Sequence, residues 1–310
     1  MILKKSLLMT VIVMSSTTTV YAVAGHGGAM QNPDGAKKRH QVSQPSDRPD
    51  HKPDKTNGQA DPSVYNQYHN FLQFNLMQSI DARMPGQARN DTYLETEFGG
   101  RSGIVDLYGY LDVFDIVHNR HDDRHDGDNM FFKIRPRFSI NGLINRNLQI
   151  GPVKEWFIAT QSEVGDRELF NNYIGIGANV DVPVMGTVGV NLMARYVQEN
   201  YSAPNENHWD GYKLATNWFT PFYTFSNDSF LSYQGYFDWS FAMDAYNATR
   251  SNHALEWYNG LYWHSRHFSV GYGLKYFNDM TGVKDGSMMN GQKQDTTGWG
   301  SYFAVSYVFT

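Results

Sequence analysis

The chain has 310 residues, a net charge of -5, no cysteine and 15% aromatic residues. A helical membrane protein is excluded, because a membrane helix needs roughly 20 consecutive apolar residues and the chain offers no such run. The absence of cysteine excludes disulfides and thiolate metal sites. The negative charge argues against a nucleic-acid partner, because such a partner favours a basic face.

The first 24 residues have the features of a secretory signal peptide. Lys4 and Lys5 form the positive region, and Leu7 to Val13 form a short apolar core. Ala22 to Ala24 is a small-x-small cleavage site. A membrane anchor is the alternative, but a serine and threonine run ends the apolar stretch well short of a bilayer span. We therefore predict a signal peptide over residues 1–24.

Residues 25–64 have a different composition, rich in charge and proline. They contain almost nothing to bury, so the entropy of ordering outweighs any gain from packing. We predict a disordered N-terminal segment that lies in the periplasm. Its histidines, His26, His40 and His51, lack the fixed spacing of a metal site, and a solvated tether is the preferred interpretation.

From about Tyr68 onward, short segments alternate apolar and polar residues. In the first of them, Leu72, Phe74 and Leu76 share one face of a strand, while Gln73 and Asn75 share the other. About twelve such segments follow one another, and bacterial single-chain barrels have an even number of strands. Lipid offers no hydrogen-bond partner, so every strand edge has to be paired. We predict an all-β fold, a transmembrane antiparallel β-barrel over residues 65–310.

The gaps between these segments alternate in length. The first and fifth gaps, Ser79 to Asp91 and Ser162 to Asn171, are long, whereas Gly99 to Gly103 and Met185 to Gly186 are tight. Outer-membrane barrels have long external loops and short periplasmic turns, so both termini are predicted in the periplasm. A soluble β-sandwich also alternates but gives no reason for sorted loop lengths. Aromatic residues near strand ends are expected to form the interfacial girdles: Trp218, Phe219, Phe222, Tyr223, Tyr262 and Trp263.

Seven motifs follow one another along the predicted barrel: Arg89 to Glu95, Tyr108 to Tyr110, Pro136 to Ile140, Lys154 to Trp156, Asn205 to Asn207, Trp209 to Tyr212 and Thr297 to Gly300. They resemble, in the same order, those of the Tsx/OmpK family of nucleoside-specific outer-membrane channels. The resemblance implies a twelve-stranded barrel with a narrow channel that passes nucleosides and deoxynucleosides by facilitated diffusion. It also implies that phages and colicins can use the protein as a surface receptor. An aromatic residue expected in the first external loop is replaced by the sequence Arg83-Met84-Pro85.

A nucleoside channel needs flat aromatic faces for the base and polar groups for the sugar. Stacking of a base on an aromatic ring is worth roughly 1–3 kcal/mol, and conduction requires several weak sites. Three consecutive strands, the second to the fourth, supply both kinds of group on their inward faces. In the alternative interpretation the charges pair across strands. The predicted lumen-lining residues are Tyr93, Glu95, Glu97, Asp106, Tyr108, Tyr110, Phe131, Lys133, Arg135 and Arg137.

The second external loop, residues 117–129, is rich in histidine and aspartate. Such residues can bind divalent metals or activate water in a hydrolase. The interspersed arginines favour a plain solvated loop, and we predict neither a metal site nor a catalytic residue. The residues concerned are His118, His121, Asp122, Asp123, His125, Asp126 and Asp128.

The last strand presents Phe303, Val305, Tyr307 and Phe309 on one face, which resembles the C-terminal signal read by the barrel assembly machinery. The sequence as a whole predicts a passive channel in a Gram-negative outer membrane. It is expected to pass nucleosides or similar small polar solutes, with no cofactor and no enzymatic activity. The alternatives are a general porin, a phage or colicin receptor with little selectivity and, less favoured, an outer-membrane hydrolase.

Overall fold

The structure is a computed structural model that describes residues 58–117 and 129–309. Within these residues, twelve antiparallel strands form a closed barrel in which each strand pairs with its chain neighbours and the last pairs with the first. The predicted fold is therefore confirmed. The strands are β1 (Tyr68–Ala82), β2 (Arg89–Ser102), β3 (Val105–Val113), β4 (Met130–Ser139), β5 (Val153–Gly165), β6 (Leu169–Val182), β7 (Gly186–Asn200), β8 (His208–Thr224), β9 (Phe230–Phe241), β10 (His253–His264), β11 (Phe268–Asn278) and β14 (Gly298–Val308).

Little other regular structure occurs in the described part of the chain. A hairpin of β12 (Met288–Met289) and β13 (Gln292–Lys293) lies in the last loop. One helical turn, α1 (Ile140–Leu143), connects β4 to β5, and short 3-10 turns occur at Pro62–Tyr65 and Met280–Gly282. No helix in residues 58–117 or 129–309 is long and apolar enough to cross a bilayer.

The predicted alternation of faces is confirmed along the barrel wall. Leu76, Ile176 and Val305 point outward and are half-exposed, whereas Gln73 and Asn75 point inward and are buried. Apolar residues thus cover the outside, and polar residues line the inside. This is the arrangement that a strand must adopt when one face meets lipid and the other a polar lumen.

The two ends of the barrel differ in their connections. We call the end that carries residues 103–104 and 140–152 and the first and last described residues, 58 and 309, the terminal end, and the opposite end the loop end. At the loop end, the long connections are residues 114–129, 242–252 and 279–297.

Two gaps at the loop end are much shorter than predicted. The first spans residues 83–88 and the fifth spans residues 166–168. Strand pairing continues through polar residues there, for example Ser79 with Asp91 and Glu163 with Asn171. The strands therefore continue into segments whose polar composition resembles that of a loop.

The predicted aromatic girdle is only partly correct. Phe222, Tyr223 and Trp263 are exposed on the outer face, but Trp218, Phe219 and Tyr262 are buried. Tyr262 points into the lumen and lies over Gly271 of β11, and Phe219 packs against Phe230 and His264. Strand β8 contains a register shift between Pro221 and Tyr223, and the adjacent residues Phe222 and Tyr223 are therefore both exposed.

The chain crosses part of the terminal end before it enters β1. The Tyr65 hydroxyl donates to the Gly142 carbonyl at 2.7 Å, and the Asn147 amide donates to the Gly58 carbonyl at 3.1 Å. Val64 is buried beside Gly142 and the side chain of Ile104. Residues 58–64, which the sequence assigned to the tether, thus contact the turns below β2 to β5. Residues 25–57 and the histidine-rich residues 118–128 lie outside the described residues.

Candidate functional site

Ion pairs bridge the lumen between strands that are not neighbours. Lys133 of β4 reaches Asp238 of β9, with 3.1 Å between Nζ and Oδ2, and Arg135 lies 3.7 Å from the same carboxylate. Lys213 of β8 pairs with Glu163 of β5. Because β4 and β9 are five positions apart in the ring of strands, these side chains meet across the interior.

Apolar packing fills the space beside these ion pairs. Ala159, Met193 and Ala215 are fully buried and contact Tyr173, which is 4% exposed. The Lys213 ammonium lies 4.5 Å from the centre of the Tyr173 ring. The part of the lumen between β4 and β9 on the side of β5 to β8 is therefore packed, and we call it the filled half.

A second bridge closes the filled half at the terminal end. Arg101 of β2 makes two hydrogen bonds with Glu155 of β5, at 2.7 and 3.0 Å. The ring of Phe157 is fully buried beside it, with the guanidinium of Arg137 4.2 Å from its centre. A planar guanidinium suits such a bidentate contact with a carboxylate.

The remaining part of the lumen, the open half, contains a cavity with about 610 Å³ of empty space including its open mouth. Strands β1, β2, β9, β10, β11 and β14 supply its walls. The lining is mostly polar and aromatic. Its residues are Gln73, Asn75, Met77, Tyr93, Glu95, Glu97, Gln234, Gly235, Tyr236, Tyr258, Tyr262, Ser269, Lys275, Tyr302, Ala304 and Ser306.

Two tyrosines of β10 lie flat against the cavity wall, and we call them the tyrosine platform. The ring of Tyr262 covers Gly271 and the ring of Tyr258 covers Gly273, so closely that a Cβ at either glycine would lie 2.2–2.3 Å from tyrosine atoms. The two hydroxyl groups are 2.7 Å apart. The absence of side chains on β11 at these positions lets the rings rest on the wall, which leaves space in the lumen.

A lysine lies at one side of this platform. Lys275 Nζ is 4.7 Å from the centre of the Tyr302 ring and 5.4 Å from that of Tyr236. It also lies 3.6 Å from Glu256 Oε2. Aromatic faces attract a cation, and a carboxylate offsets its charge. Lys275 is therefore held against the wall by two kinds of contact.

The facing wall is made of amides and carboxylates. Gln73 and Asn75 of β1 stand opposite Glu97 and Glu95 of β2 in register. Asn75 Nδ2 donates to Glu95 Oε1 at 2.6 Å, and Gln73 Nε2 donates to Glu97. The open half thus has aromatic faces on one side and hydrogen-bonding groups on the other.

The structure brings only part of the predicted lumen-lining set to this cavity. Tyr93, Glu95 and Glu97 line it. Lys133 and Arg135 lie in the bridge to Asp238 instead.

The other predicted residues lie on the inner wall beside the cavity. Tyr110 contacts Tyr108 and Phe131, with ring centres 6.1 and 6.0 Å apart. Arg137 pairs with Asp106 at 3.1 Å, as the alternative of cross-strand pairing predicts.

The aromatic residues of β9 to β14 were missing from the predicted set. Tyr236, Tyr258, Tyr262 and Tyr302 each occupy an inward position on a strand, and Lys275 does so on β11. The alternation of each strand could have indicated the face. The open half is formed by strands from both ends of the chain. They become neighbours only because the barrel closes through the pairing of β14 with β1.

The first loop folds over the mouth at the loop end. Met84 packs against the apolar cluster that includes Tyr93, Tyr258 and Met280. Arg83 pairs with Asp295 of the last loop. The Gly86 amide donates to Gln294 Oε1 at 2.7 Å, and the Asp295 amide donates to the Gly86 carbonyl at 2.7 Å. We call these contacts the loop latch.

The part of the chain that the structure describes contains no evident binding site for a metal ion. No group of three or more histidine and acidic residues is arranged to hold a metal ion there. The histidine-rich loop belongs to the residues that are not described.

Residues 66–309 match the family model described as "Nucleoside-specific channel-forming protein, Tsx". The chain belongs to this family. It is 42% identical over 258 residues to the outer membrane protein OmpK of Vibrio parahaemolyticus serotype O3:K6, covering 81% of the chain and 91% of OmpK. It is 33% identical over 262 residues to the nucleoside-specific channel-forming protein Tsx of Klebsiella aerogenes, covering 76% and 87%. Tsx of Escherichia coli O157:H7 is 32% identical over 256 residues, with the same coverage.

Membership of the Tsx family and the closed barrel agree on the nature of the protein. The chain is a channel-forming protein of the outer membrane, and the Tsx family is not a family of enzymes. The resemblance inferred from the sequence motifs is thereby confirmed.

Proposed function

We propose that the protein lets nucleosides, deoxynucleosides or similar small polar solutes diffuse through the open half of the barrel. The tyrosine platform opposite the amide and carboxylate wall carries this proposal. A flat base can stack on Tyr258 and Tyr262, at roughly 1–3 kcal/mol per base, while sugar hydroxyls donate to Glu95 and Glu97. Weak contacts of this size suit a path from which a solute must also leave.

The sequence-predicted residues contribute to this path in two ways. Tyr93, Glu95 and Glu97 would touch the solute directly, because they line the cavity. The wall of β3 and β4 would border it, through Tyr108, Tyr110 and Phe131. The charged residues Asp106, Lys133, Arg135 and Arg137 would act mainly by keeping the filled half closed.

Liposome swelling with nucleosides, sugars and amino acids tests the proposal. We expect nucleosides to enter faster than sugars of similar size, and nucleosides to block the single-channel ion current. Tyr262→Ala should weaken this block by about 5- to 150-fold, the equivalent of one stacking contact of 1–3 kcal/mol. Tyr262→Phe is the matched control, because it keeps the ring and should keep most of the block.

Other outcomes would favour the alternatives. Equal swelling rates across the panel would indicate a general porin, and absence of conductance would indicate a plugged receptor for phages or colicins. Hydrolysis of peptide or lipid by the purified protein would indicate an enzyme. Block that survives Tyr262→Ala but is lost in Tyr108→Ala/Tyr110→Ala would place the solute against β3.

We further propose how the chain is exported and oriented. Residues 1–24 are removed as a signal peptide, and residues 25–57 extend into the periplasm from the terminal end. The outward face of β14 and the residue after it would be read by the barrel assembly machinery, through Phe303, Val305, Tyr307 and Phe309. Protease added to intact cells should leave an epitope in residues 25–57 uncut, and cleavage there would contradict the orientation.

A further inference from the structure

The wall of the cavity formed by β1 and β2 offers an unusual set of hydrogen-bonding groups. Gln73 Nε2 donates to Glu97, while Asn75 Nδ2 donates to Glu95 Oε1 at 2.6 Å and to Glu97 Oε2 at 3.2 Å. The amide donors of both residues are therefore directed at carboxylates. All four side chains line the cavity.

The carbonyl oxygens of the same two amides have no such partner. Gln73 Oε1 and Asn75 Oδ1 are buried without a hydrogen bond to any described residue, and the two residues are only 3% and 4% exposed. A side-chain amide has two donor hydrogens and one acceptor oxygen. Because the donors point to the carboxylates, a ligand at this wall meets oxygen acceptors. It must bring hydrogen-bond donors or positive charge.

The negative charge of this wall favours a ligand that carries positive charge. Glu95 and Glu97 share the inward face of β2, and Asp112 of β3 stands opposite Glu95 in register. The amides of Gln73 and Asn75 carry no charge that could offset these carboxylates. Lys275, the ammonium that lines the cavity, lies 3.6 Å from Glu256 and also attracts Glu95 and Asp112, so one ammonium faces the four carboxylates Glu95, Glu97, Asp112 and Glu256. Like charges at close range in a partly dry interior repel strongly.

We propose that an alkali cation binds at this wall, between Gln73 Oε1, Asn75 Oδ1 and the carboxylates of Glu95 and Glu97. Carboxylate and carbonyl oxygens are the ligands that hard cations prefer. A cation passing along this wall relieves the repulsion between the carboxylates, whereas an anion increases it. The ion current through the open half is therefore cation-selective. This selectivity does not depend on which solute the channel carries.

The zero-current potential across a planar bilayer with a KCl gradient tests the site. We expect the full-length wild-type protein to pass K⁺ more readily than Cl⁻. Glu97→Gln and Glu95→Gln should each lower the ratio of K⁺ to Cl⁻ permeability by about twofold or more, because a charge in the lumen attracts counter-ions locally. Asp181→Asn is the matched control, because Asp181 is an exposed carboxylate at the terminal end whose side chain is 49% exposed and paired with Lys154. Its ratio should equal that of the wild type.

Two results would overturn the site. One is a wild-type permeability ratio at or below one, a measurement that needs no variant and so does not depend on whether a variant folds. The other is an unchanged ratio in both glutamine variants, with folding verified by the shifted migration of unheated samples on gels. If nucleosides fail to block the current while the ratio behaves as expected, the nucleoside proposal fails and the cation site stands.

Discussion

At the scale of single residues, the shape of the solute path depends on two glycines as much as on the tyrosines that they face. Gly271 and Gly273 let the rings of Tyr262 and Tyr258 lie against β11. Side chains at these positions would displace the rings into the lumen. The width of the path is therefore set at positions that contribute no side chain to it.

Gly271→Ala tests this dependence. The new Cβ would lie 2.2 Å from the Tyr262 ring, so the ring has to move. We expect a loss of about 1–3 kcal/mol in the free energy of unfolding, as for other overpacked sites, and a smaller single-channel conductance. Gly165→Ala is the control, since its nearest neighbour is the Leu169 side chain at 3.2 Å. An unchanged conductance in Gly271→Ala would show that the Tyr262 ring does not set the width of the path.

Which residues face inward could be predicted from the sequence wherever alternation is regular. Gln73, Asn75, Glu95 and Glu97 were assigned correctly because successive side chains of a strand point to opposite faces. Phe219 was assigned wrongly to the girdle because it is an aromatic residue near a strand end, although it directly follows Trp218 and neighbouring residues of a strand point to opposite faces. The register shift between Pro221 and Tyr223 instead accounts for the exposure of both Phe222 and Tyr223, and nothing in the local sequence indicates such a bulge.

At the scale of elements, the first and last loops behave as one unit because the loop latch joins them. Arg83 and Asp295 form an ion pair whose side chains are 21% and 44% exposed. Exposed pairs of this kind contribute about 0–1 kcal/mol, too little to matter for the stability of the barrel. Their effect is instead on the position of Met84, which packs over the lumen cluster.

Asp295→Ala should therefore separate loop motion from barrel stability. We expect an unfolding temperature close to that of the wild type and an ion current with larger fluctuations, because the first loop loses a contact. Asp181→Ala removes a comparably exposed ion pair at the terminal end and should leave the current unchanged. Identical current noise in the two variants would show that the latch does not restrain Met84.

The lengths of elements were predicted less well than their faces. The sequence places a loop over Ser162 to Asn171, yet β5 and β6 continue until only residues 166–168 connect them. A strand that extends beyond the bilayer has polar residues on both faces, and such a segment has the composition of a loop. Whether such a segment is a strand or a loop depends on its pairing with residues of the neighbouring strand, which its own composition does not show.

At the scale of the whole molecule, contacts across the interior divide the lumen into a filled and an open half. It rests on contacts such as Lys133 with Asp238, which are 105 positions apart in the chain. The sequence showed that both residues face inward. It could not show that they meet, because that depends on the cross-section of the closed barrel.

Asp238→Ala tests the role of this bridge. It leaves Lys133 and Arg135, both nearly buried, without the carboxylate that they share. Removing one partner of a buried ion pair typically costs about 3–5 kcal/mol, so we expect a clearly lower unfolding temperature. Block of the current by nucleosides should persist, because the open half is formed by other strands. If Asp238→Ala unfolds at the same temperature as the wild type, these ion pairs do not hold the filled half closed.

The bridges between β4 and β9 and between β5 and β8 also have a mechanical consequence. A closed ring of strands is an elastic hoop, and the surrounding bilayer compresses it from all sides. The bridges resist flattening of the barrel along their own direction, whereas the open half, in which the described residues form no such bridges, is free to deform. We therefore expect changes in lateral membrane pressure to alter the width of the open half while the filled half keeps its shape.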